Sequence, residues 1–274
     1  MEKALTVMRC PVCRGSLQFG SGDAECENRH HYDRAKEGYL NLLIGHKPGQ
    51  AQGDSREMAR SRRMFLESGV FQPLADGVKA LLEEYCPENG VVMDICCGEG
   101  YYTAELAKER KGRSFYGFDL SREMVRLAAK RNCANFFVAN IAAIPVRDES
   151  VDFAFHLFAP FNGGEFSRIL RPDGMLVSVI PGRRHLMGLK EVLYVNPYEN
   201  DEAPPKAEQF TLAEIRRVKF TAQLTGQENI RALLQMTPYF YHTPSDGLNR
   251  LEALSELNTE LDFVLLCYQK KQKT

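Results

Sequence analysis

The sequence lacks a long apolar run: none of its 274 residues falls in an uncharged apolar window approaching the roughly 18 residues that a membrane helix needs. Its first ten residues, MEKALTVMRC, also lack the apolar core and small-residue cleavage site of a signal peptide. A large net charge is missing as well, since 35 Lys+Arg oppose 36 Asp+Glu. We therefore expect a globular cytoplasmic protein with no membrane partner.

The small net charge hides an asymmetry along the chain. Residues 1–64 contain 11 Lys+Arg against 8 Asp+Glu, a net of +3, whereas the remainder contains 24 against 28, a net of −4. This weak basic excess at the N-terminal end allows a polyanionic partner but does not by itself predict one.

Three of the eight cysteines lie close together, and the other five are scattered through apolar segments. In a reducing compartment the first group is typical of metal ligands, and the others of small core residues. Cys10-Pro-Val-Cys13 is followed after twelve residues by Cys26-Glu-Asn-Arg-His30. Three thiolates and one imidazole form a closed tetrahedral zinc site, which holds structure and leaves no position for catalytic water. His31 is a second candidate for the fourth ligand, and spacing alone does not decide between them.

The first 45 residues are short apolar pieces broken by Gly, Asn and Cys, too small to form a core without a metal. Residues 45–55, GHKPGQAQGDS, are typical of a linker. We therefore divide the chain into a zinc-binding ribbon at 1–45, a linker with helices at 46–90, and a catalytic domain at 91–274.

Two helices are predicted between the linker and the catalytic domain. Asp54 or Ser55 is a candidate N-cap for the first, whose apolar face carries Met58, Met64 and Phe65. The second is predicted from Leu74 to Tyr85.

From Val91 onward, short apolar strands alternate with amphipathic helices. This alternation predicts an α/β fold with a parallel sheet covered on both faces, and the C-terminal third is consistent with antiparallel additions to it. The predicted strands are VVMDI, SFYGFDL, NFFVAN, VDFAFHLF and GMLVSVI, with helices in YYTAELAKER, SREMVRLAAKR (opened by Ser121) and the segment ending in RIL.

The segment Asp94-Ile-Cys-Cys-Gly98-Glu-Gly100 lies between a predicted buried strand and a helix. Glycines there let the backbone approach a ligand at the carboxyl end of a strand. Asp119, at the end of the next strand, is placed to bind the hydroxyls of a ribose. Because the third glycine of a dinucleotide motif is absent, S-adenosylmethionine fits the pattern better than a dinucleotide. Cys96 stands where the usual motif has glycine. The sequence does not decide whether this cysteine weakens cofactor binding, and an inactive enzyme is also left open.

The chain resembles a known family, the bacterial 23S rRNA (guanine-N1)-methyltransferases, which join a zinc ribbon to a class I (Rossmann-like) methyltransferase domain. The resemblance covers nearly the full length. The segments that carry it are CPVC, CENRHHYDRAKEGYLNLL, GDSREMARSRRMFLESGVFQPL, DICCGEGYYTAEL, GFDLS, APF, PGRRHLMGLKEVLY and LLQMTPYF.

The resemblance implies one structural zinc held by the residues matching Cys10, Cys13, Cys26 and His30, which favours His30 over His31. It also implies S-adenosylmethionine contacts from Phe71, where the family usually has Tyr, from Gly98 and Glu99, and from His185. The implied substrate is a hairpin of 23S ribosomal RNA, methylated on N1 of a guanine, and a homodimer is left open.

The sequence identifies no catalytic base for this chemistry. His156 ends a predicted strand near the cofactor, but a core position is equally compatible with it. Ala159-Pro160 lies where class I enzymes build the pocket for the target, into which a loop base would be flipped. Two alternatives stay open: a small-molecule methyltransferase, which has no need of a zinc module, and a zinc-ribbon RNA-binding protein without activity, which leaves Asp94, Gly98, Gly100 and Asp119 unexplained.

Overall fold

The computed structural model describes residues 7–20, 22–45 and 56–271, with residues 56 and 57 described by their backbone alone. Most of the predicted linker, together with the candidate caps Asp54 and Ser55, lies outside the described residues. In the part of the chain that the structure describes, no helix combines the length and the apolar character that crossing a membrane requires.

The N-terminal module is a three-stranded antiparallel sheet in the order β1-β2-β3. Its strands are β1 (Leu17–Phe19), β2 (Asp23–Cys26) and β3 (His31–Asp33). Residues 27–30 connect β2 to β3, and the amide of Cys26 donates to the carbonyl oxygen of His30 at 3.1 Å. These short strands bury little apolar surface, as expected of a metal-stabilised ribbon.

The large sheet has eight strands in the order β10-β11-β9-β8-β5-β6-β7-β4. Six of them, from β9 to β4, run parallel, and β10 and β11 add to the β9 edge as an antiparallel pair. The predicted sheet and its antiparallel C-terminal additions are therefore confirmed. The strands are β4 (Leu40–Asn41), β5 (Val91–Ile95), β6 (Ser114–Asp119), β7 (Asn135–Val138), β8 (Val151–Leu157), β9 (Leu170–Pro181), β10 (Phe210–Thr225) and β11 (Glu256–Lys270).

Eight α-helices are described. The predicted cap of α4 is confirmed, because the Ser121 hydroxyl oxygen accepts from the amide of Met124 at 3.4 Å. The predicted helix from Tyr101 ends at Leu106 and continues as a 3₁₀ turn over 107–109. A second 3₁₀ turn spans Pro238–Tyr241. The helices are α1 (Arg56–Glu67), α2 (Gln72–Tyr85), α3 (Tyr101–Leu106), α4 (Arg122–Ala129), α5 (Gly163–Ile169), α6 (Met187–Leu193), α7 (Gln227–Gln235) and α8 (Ser245–Glu252).

The first helix corrects one of the predictions. Met58 and Phe65 are buried, but Met64 is 39% exposed, so it does not belong to the apolar face. Since α-helical neighbours advance by about 100° per residue, Met64 and Phe65 cannot both point into a narrow interface. α1 and α2 pack against the catalytic sheet, and Phe65, Leu74 and Val78 share an apolar cluster with Phe155 of β8.

The ribbon shares its apolar core with the opposite face of the same sheet. Met8 is 1% exposed and pairs through a β-bridge with Val146. It belongs to one cluster with Cys26 of the ribbon and Phe137 of β7. Because β4 also pairs with β7, the chain enters the catalytic sheet before the predicted linker begins.

Two glycines at equivalent helix positions give a test of this packing. A Cβ on Gly188, the second residue of α6, would lie 2.1 Å from the carbonyl oxygen of Asn258 in β11. We expect Gly188→Ala to lower the free energy of unfolding by about 1–3 kcal/mol, because backbone cannot move aside cheaply. Gly164→Ala, at the second residue of α5, has its nearest atom at 3.7 Å and should leave stability unchanged or slightly higher. Equal effects in urea denaturation would contradict this account.

Candidate active site and zinc centre

Four ligand atoms converge at the base of the ribbon. The Sγ atoms of Cys10, Cys13 and Cys26 and a ring nitrogen of His30 all lie within 4.8 Å of one another. The Cys13 and Cys26 sulfurs are 3.5 Å apart, and His30 Nδ1 lies 3.2 Å from Cys26 Sγ and 3.6 Å from Cys10 Sγ. A tetrahedron with Zn–S bonds near 2.3 Å has edges of about 3.8 Å, so the residues fit a zinc ion.

The chemistry around these ligands also suits a metal. A hydrogen bond from the Gly15 backbone, followed by one from Asn28, lowers the pKa of the Cys13 thiol to about 6, which favours the thiolate that zinc needs. The Tyr32 hydroxyl lies 3.0 Å from Cys10 Sγ and can donate to it. Such outer contacts orient metal ligands. Tyr32, two positions after His30, carried no signal that sequence reasoning could use.

The structure separates the two histidine candidates. His30 points its Nδ1 at the three sulfurs, whereas the His31 side chain is 49% exposed and faces Asp23 and Asp33. His31 begins β3, whereas His30 lies in the connection just before it. The geometry therefore agrees with His30 as the fourth ligand.

The predicted cofactor loop turns sharply between β5 and α3. Cys96, Gly98 and Gly100 all have positive φ, at 60°, 54° and 80°. A Cβ on Gly98 would meet nothing within 4 Å, so the loop leaves open space there. A Cβ on Gly100 would lie 2.9 Å from the Cβ of Ala128, so this glycine allows α3 to pack on α4. The two glycines of the motif thus serve different purposes.

Asp119 ties this loop to the end of β6. Its Oδ2 accepts from the amide of Gly98 at 3.0 Å, and its Oδ1 accepts from the amide of Ser121 at 2.8 Å. The carboxylate is partly exposed, at the carboxyl edge of the sheet. It therefore holds the glycine loop in place and faces the side from which a cofactor would approach.

Asp94 and Glu99 are buried in the same loop region. The Thr103 hydroxyl donates to Asp94 Oδ2 at 2.5 Å, and burial raises the pKa of Asp94 to about 7. Glu99 forms an ion pair with Arg131, whose Nε donates to Glu99 Oε2 at 3.0 Å. Burial nevertheless raises the pKa of Glu99. Arg131 and Thr103 are site residues that sequence reasoning missed, since nothing in their spacing marks them.

Two adjoining cavities occupy this edge of the sheet. A small one of about 60 Å³ is lined by Asp94, Cys96, Gly98 and Glu99. A larger one of about 630 Å³ is lined by Phe71 and His185 together with Pro238, Tyr239 and Tyr241. They share three lining residues: Arg62, Phe158 and Met236.

The predicted cofactor residues thus divide into three groups. Asp94, Gly98 and Glu99 line the small cavity, and Phe71 and His185 line the large one. Asp119 and Gly100 line neither of the two, and Asp119 acts on the small cavity through the amide of Gly98.

The two histidines near the sheet edge differ in their surroundings. His185 Nδ1 accepts from the amide of Asp262 at 3.3 Å, so in the neutral ring the proton lies on Nε2, and burial lowers its pKa to about 3. His156 is 2% exposed and packs between Phe161 and Phe166. Burial lowers the pKa of His156 to about 4, and it lines neither cavity, so its position is that of a core residue.

Comparison with known proteins matches two segments of the chain to known domain families. The N-terminal zinc-ribbon family of RlmA matches residues 8–49, and a methyltransferase-domain family matches residues 92–174. The protein YxjB of Bacillus subtilis (strain 168), named for 23S rRNA (guanine-N(1)-)-methyltransferase activity, is 30% identical over 97% of this chain and 98% of its own. The chain belongs to this family.

Further members of the family agree over most of the chain. The 23S rRNA (guanine(748)-N(1))-methyltransferase of Streptomyces fradiae is 29% identical, covering 96% of this chain and 98% of the relative. A Micromonospora griseorubida protein named for 23S rRNA (guanine-N(1)-) methylation is 32% identical over 91% of this chain and 92% of its own. This family member is therefore an S-adenosylmethionine-dependent methyltransferase with a zinc ribbon.

Histidine variants test the metal centre. We expect one zinc per chain in protein purified without chelator, loss of that zinc in His30→Ala, and its retention in the neighbouring control His31→Ala. The reason is that the His30 ring faces the sulfurs, whereas the His31 ring faces two carboxylates. Elemental analysis measures the ratio. Zinc retained by His30→Ala and lost by His31→Ala would reverse the assignment.

Removal of the Asp119 carboxylate tests the cofactor loop. We expect Asp119→Ala to weaken S-adenosylmethionine binding about 10- to 150-fold, the equivalent of roughly 1.5–3 kcal/mol for a charged hydrogen-bonding group. Asp173→Ala, at an exposed position near the start of β9 and so at the opposite end of the parallel strands from the loop, is the control. Isothermal titration calorimetry gives both affinities. An affinity of Asp119→Ala equal to that of the wild type would remove Asp119 from the cofactor site.

Proposed function

We propose that this chain transfers the methyl group of S-adenosylmethionine to N1 of a guanine in a hairpin loop of 23S ribosomal RNA. The observation that carries the proposal is the junction of the two cavities: the small one lies on the glycine loop, and the larger one adjoins it and is rich in aromatic residues. The names of three full-length relatives support the choice of substrate.

We propose that the cofactor binds along the glycine loop, with part of it in the small cavity and the rest extending toward the larger one. We propose that Asp119 binds the ribose hydroxyls, since a carboxylate accepts up to about four hydrogen bonds and lies partly exposed beside the loop. Gly98 leaves the space that a close approach requires. Asp94 and Glu99 are proposed to shape the floor of this cavity, with Gly100 setting the angle of α3. S-adenosylmethionine supplies an activated methyl group when bound.

Phe71 and His185 are proposed to contact the cofactor from the side of the larger cavity. Phe71 is 2% exposed, and its ring packs against Phe65 and Phe263 at centroid distances of 5.7 and 5.4 Å. As a phenylalanine it offers an apolar edge and no hydroxyl. His185 offers an Nε2–H donor instead.

The residues around the larger cavity would align the nucleophile, which is the main task in a direct displacement. Guanine N1 must also lose its proton. Among the described residues lining the larger cavity there is no Asp or Glu, and the His185 ring has its proton on Nε2. We propose that the proton passes to His242, an exposed residue of this lining, or to solvent at the rim.

The ribbon is the proposed site of RNA recognition. Arg14, Arg29 and Lys36 are exposed on it, whereas Arg34 is half-buried. Arg9 is tied to Asp148 by a 2.8 Å ion pair, and Arg168 competes for the same carboxylate. We therefore propose that Arg14, Arg29 and Lys36 carry the phosphate contacts. With ribosomal RNA as the substrate, we also infer a cytoplasmic location. Sedimentation analysis would decide whether the enzyme is a homodimer.

A transfer assay tests the proposed function. Protein incubated with tritiated S-adenosylmethionine should label 23S rRNA lacking the modification, and should not label a small-molecule extract. Reverse transcriptase should stop at one guanine of the labelled RNA, because an N1 methyl group blocks Watson–Crick pairing. Label in the extract alone would favour a small-molecule methyltransferase.

A triple charge reversal separates RNA recognition from cofactor binding. We expect Arg14→Glu/Arg29→Glu/Lys36→Glu to raise the KM for RNA at least tenfold and to flatten its salt dependence, since each lost phosphate contact removes about 0.7–0.9 from the log–log slope. The affinity for S-adenosylmethionine should not change. The control reverses Glu25 and Glu27, two exposed acids of the same module, to Lys. Unchanged RNA kinetics in the basic-residue variant would remove these side chains from RNA recognition.

A further inference from the structure

Phe158 has an unusual backbone for a large aromatic residue. It follows the last residue of β8 and has a φ of 55°, in the left-handed region that bulky side chains rarely adopt. Its amide donates to the carbonyl oxygen of Val179 at 3.1 Å, which fixes the turn against β9. Residues held in such conformations by their surroundings cluster at functional sites.

This backbone places the Phe158 ring at the boundary of the two cavities. Phe158 lines both of them and is 46% exposed, although aromatic rings usually bury more of their surface. It is backed by the His185 ring, nearly parallel at 19° with centroids 6.1 Å apart, and by Phe263 at 5.8 Å. His185 is itself fixed by the amide of Asp262. The Phe158 ring thus packs against His185 and Phe263, and its exposed surface lines the two cavities.

We propose that Phe158 is the stacking surface for the target base, on which a flipped guanine lies with N1 toward the cofactor. This inference rests on the proposed function. A planar base gains stability from an aromatic face whatever its hydrogen-bonding edges, so the ring can hold the base flat while leaving N1 unobstructed. Tyr239 and Tyr241 line the larger cavity but not the small one, so their rings are farther from the glycine loop.

The left-handed turn is part of the same arrangement. A residue with ordinary extended φ after β8 would continue the alternation of side chains toward the two faces of the sheet. Positive φ departs from that alternation and presents the ring at the carboxyl edge, beside the loop that carries Gly98. Phe158 is therefore a substrate-positioning residue that also bounds the cofactor cavity.

Three substitutions test the stacking role. We expect Phe158→Ala to lower kcat/KM for the RNA hairpin about 10- to 100-fold, as removal of one base–aromatic stack does elsewhere. Phe158→Tyr keeps the ring and should stay within threefold of the wild type. Phe158→Gly should lose as much activity as Phe158→Ala while tolerating the positive φ, so its thermal unfolding midpoint should be the higher of the two. The affinity for S-adenosylmethionine should fall by a smaller factor than kcat/KM in Phe158→Ala and Phe158→Gly, because the ring only borders the small cavity.

A modified substrate distinguishes stacking from a structural effect. With a hairpin that is abasic at the mapped guanine, wild type and Phe158→Ala should bind equally, because the stack is absent from both complexes. Phe240→Ala is the control: this half-exposed ring packs on Tyr241 and lines neither cavity.

The contrary outcomes are distinct. Wild-type RNA kinetics in Phe158→Ala, or the same loss of affinity for the abasic and the intact hairpin, would overturn the stacking role. A loss confined to S-adenosylmethionine binding would overturn it too, and would make Phe158 a wall of the cofactor site. Failure of the wild type to methylate the hairpin would instead overturn the proposed function.

Discussion

The parallel hydrogen-bonding of β5 with β6 and β8 is the constraint on which the site depends. Met93, Asp94 and Ile95 pair in register with β6, and Asp94 also pairs with Phe155 of β8. Because the three strands run the same way, their carboxyl ends meet at one edge. That edge brings together the glycine loop after β5, Asp119 at the end of β6 and Phe158 after β8. Residues more than 60 positions apart thereby line adjoining cavities.

Backbone conformation at this edge is as important as side-chain chemistry. The chain leaves β5 through Cys96 and β8 through Phe158, both with positive φ, and a non-glycine residue there costs about 1–2 kcal/mol. At Cys96 the β-carbon is accommodated, so the missing glycine of the motif does not prevent the turn. Its thiol lies on the wall of the small cavity, where burial raises the pKa to about 12 and leaves the group neutral. A neutral small side chain at this position is compatible with a nearby cationic cofactor.

Sequence alone was sufficient for features governed by local periodicity or by short spacing. Buried runs such as 91–95 identified the strands. CxxC and the third cysteine predicted three of the four side chains that converge in the ribbon, whereas the choice of His30 over His31 needed the family resemblance. Features formed by distant residues were not predictable. Arg131 meets Glu99 across 32 positions, and no motif marks the pair. Phe158 was also missed, since its residue type gives no sign of a left-handed backbone. Phe71 and His185 were predicted as cofactor residues only through the family resemblance, and they line the larger cavity and not the small one on the glycine loop.

The ribbon and the catalytic sheet share one apolar core, and this limits the variants that can test the role of each module separately. Met8 and Cys26 share an apolar cluster with Phe137, and β4 extends the main sheet beyond β7. Deleting the ribbon would therefore expose the β7 edge and its apolar face, so a truncated protein could lose activity by aggregation rather than by failing to bind RNA. Two strands, β6 and β7, separate β4 from β5, and three separate it from β8. Surface charge reversal leaves this shared core intact and changes only exposed side chains, so it is the better way to test RNA recognition separately from methyl transfer.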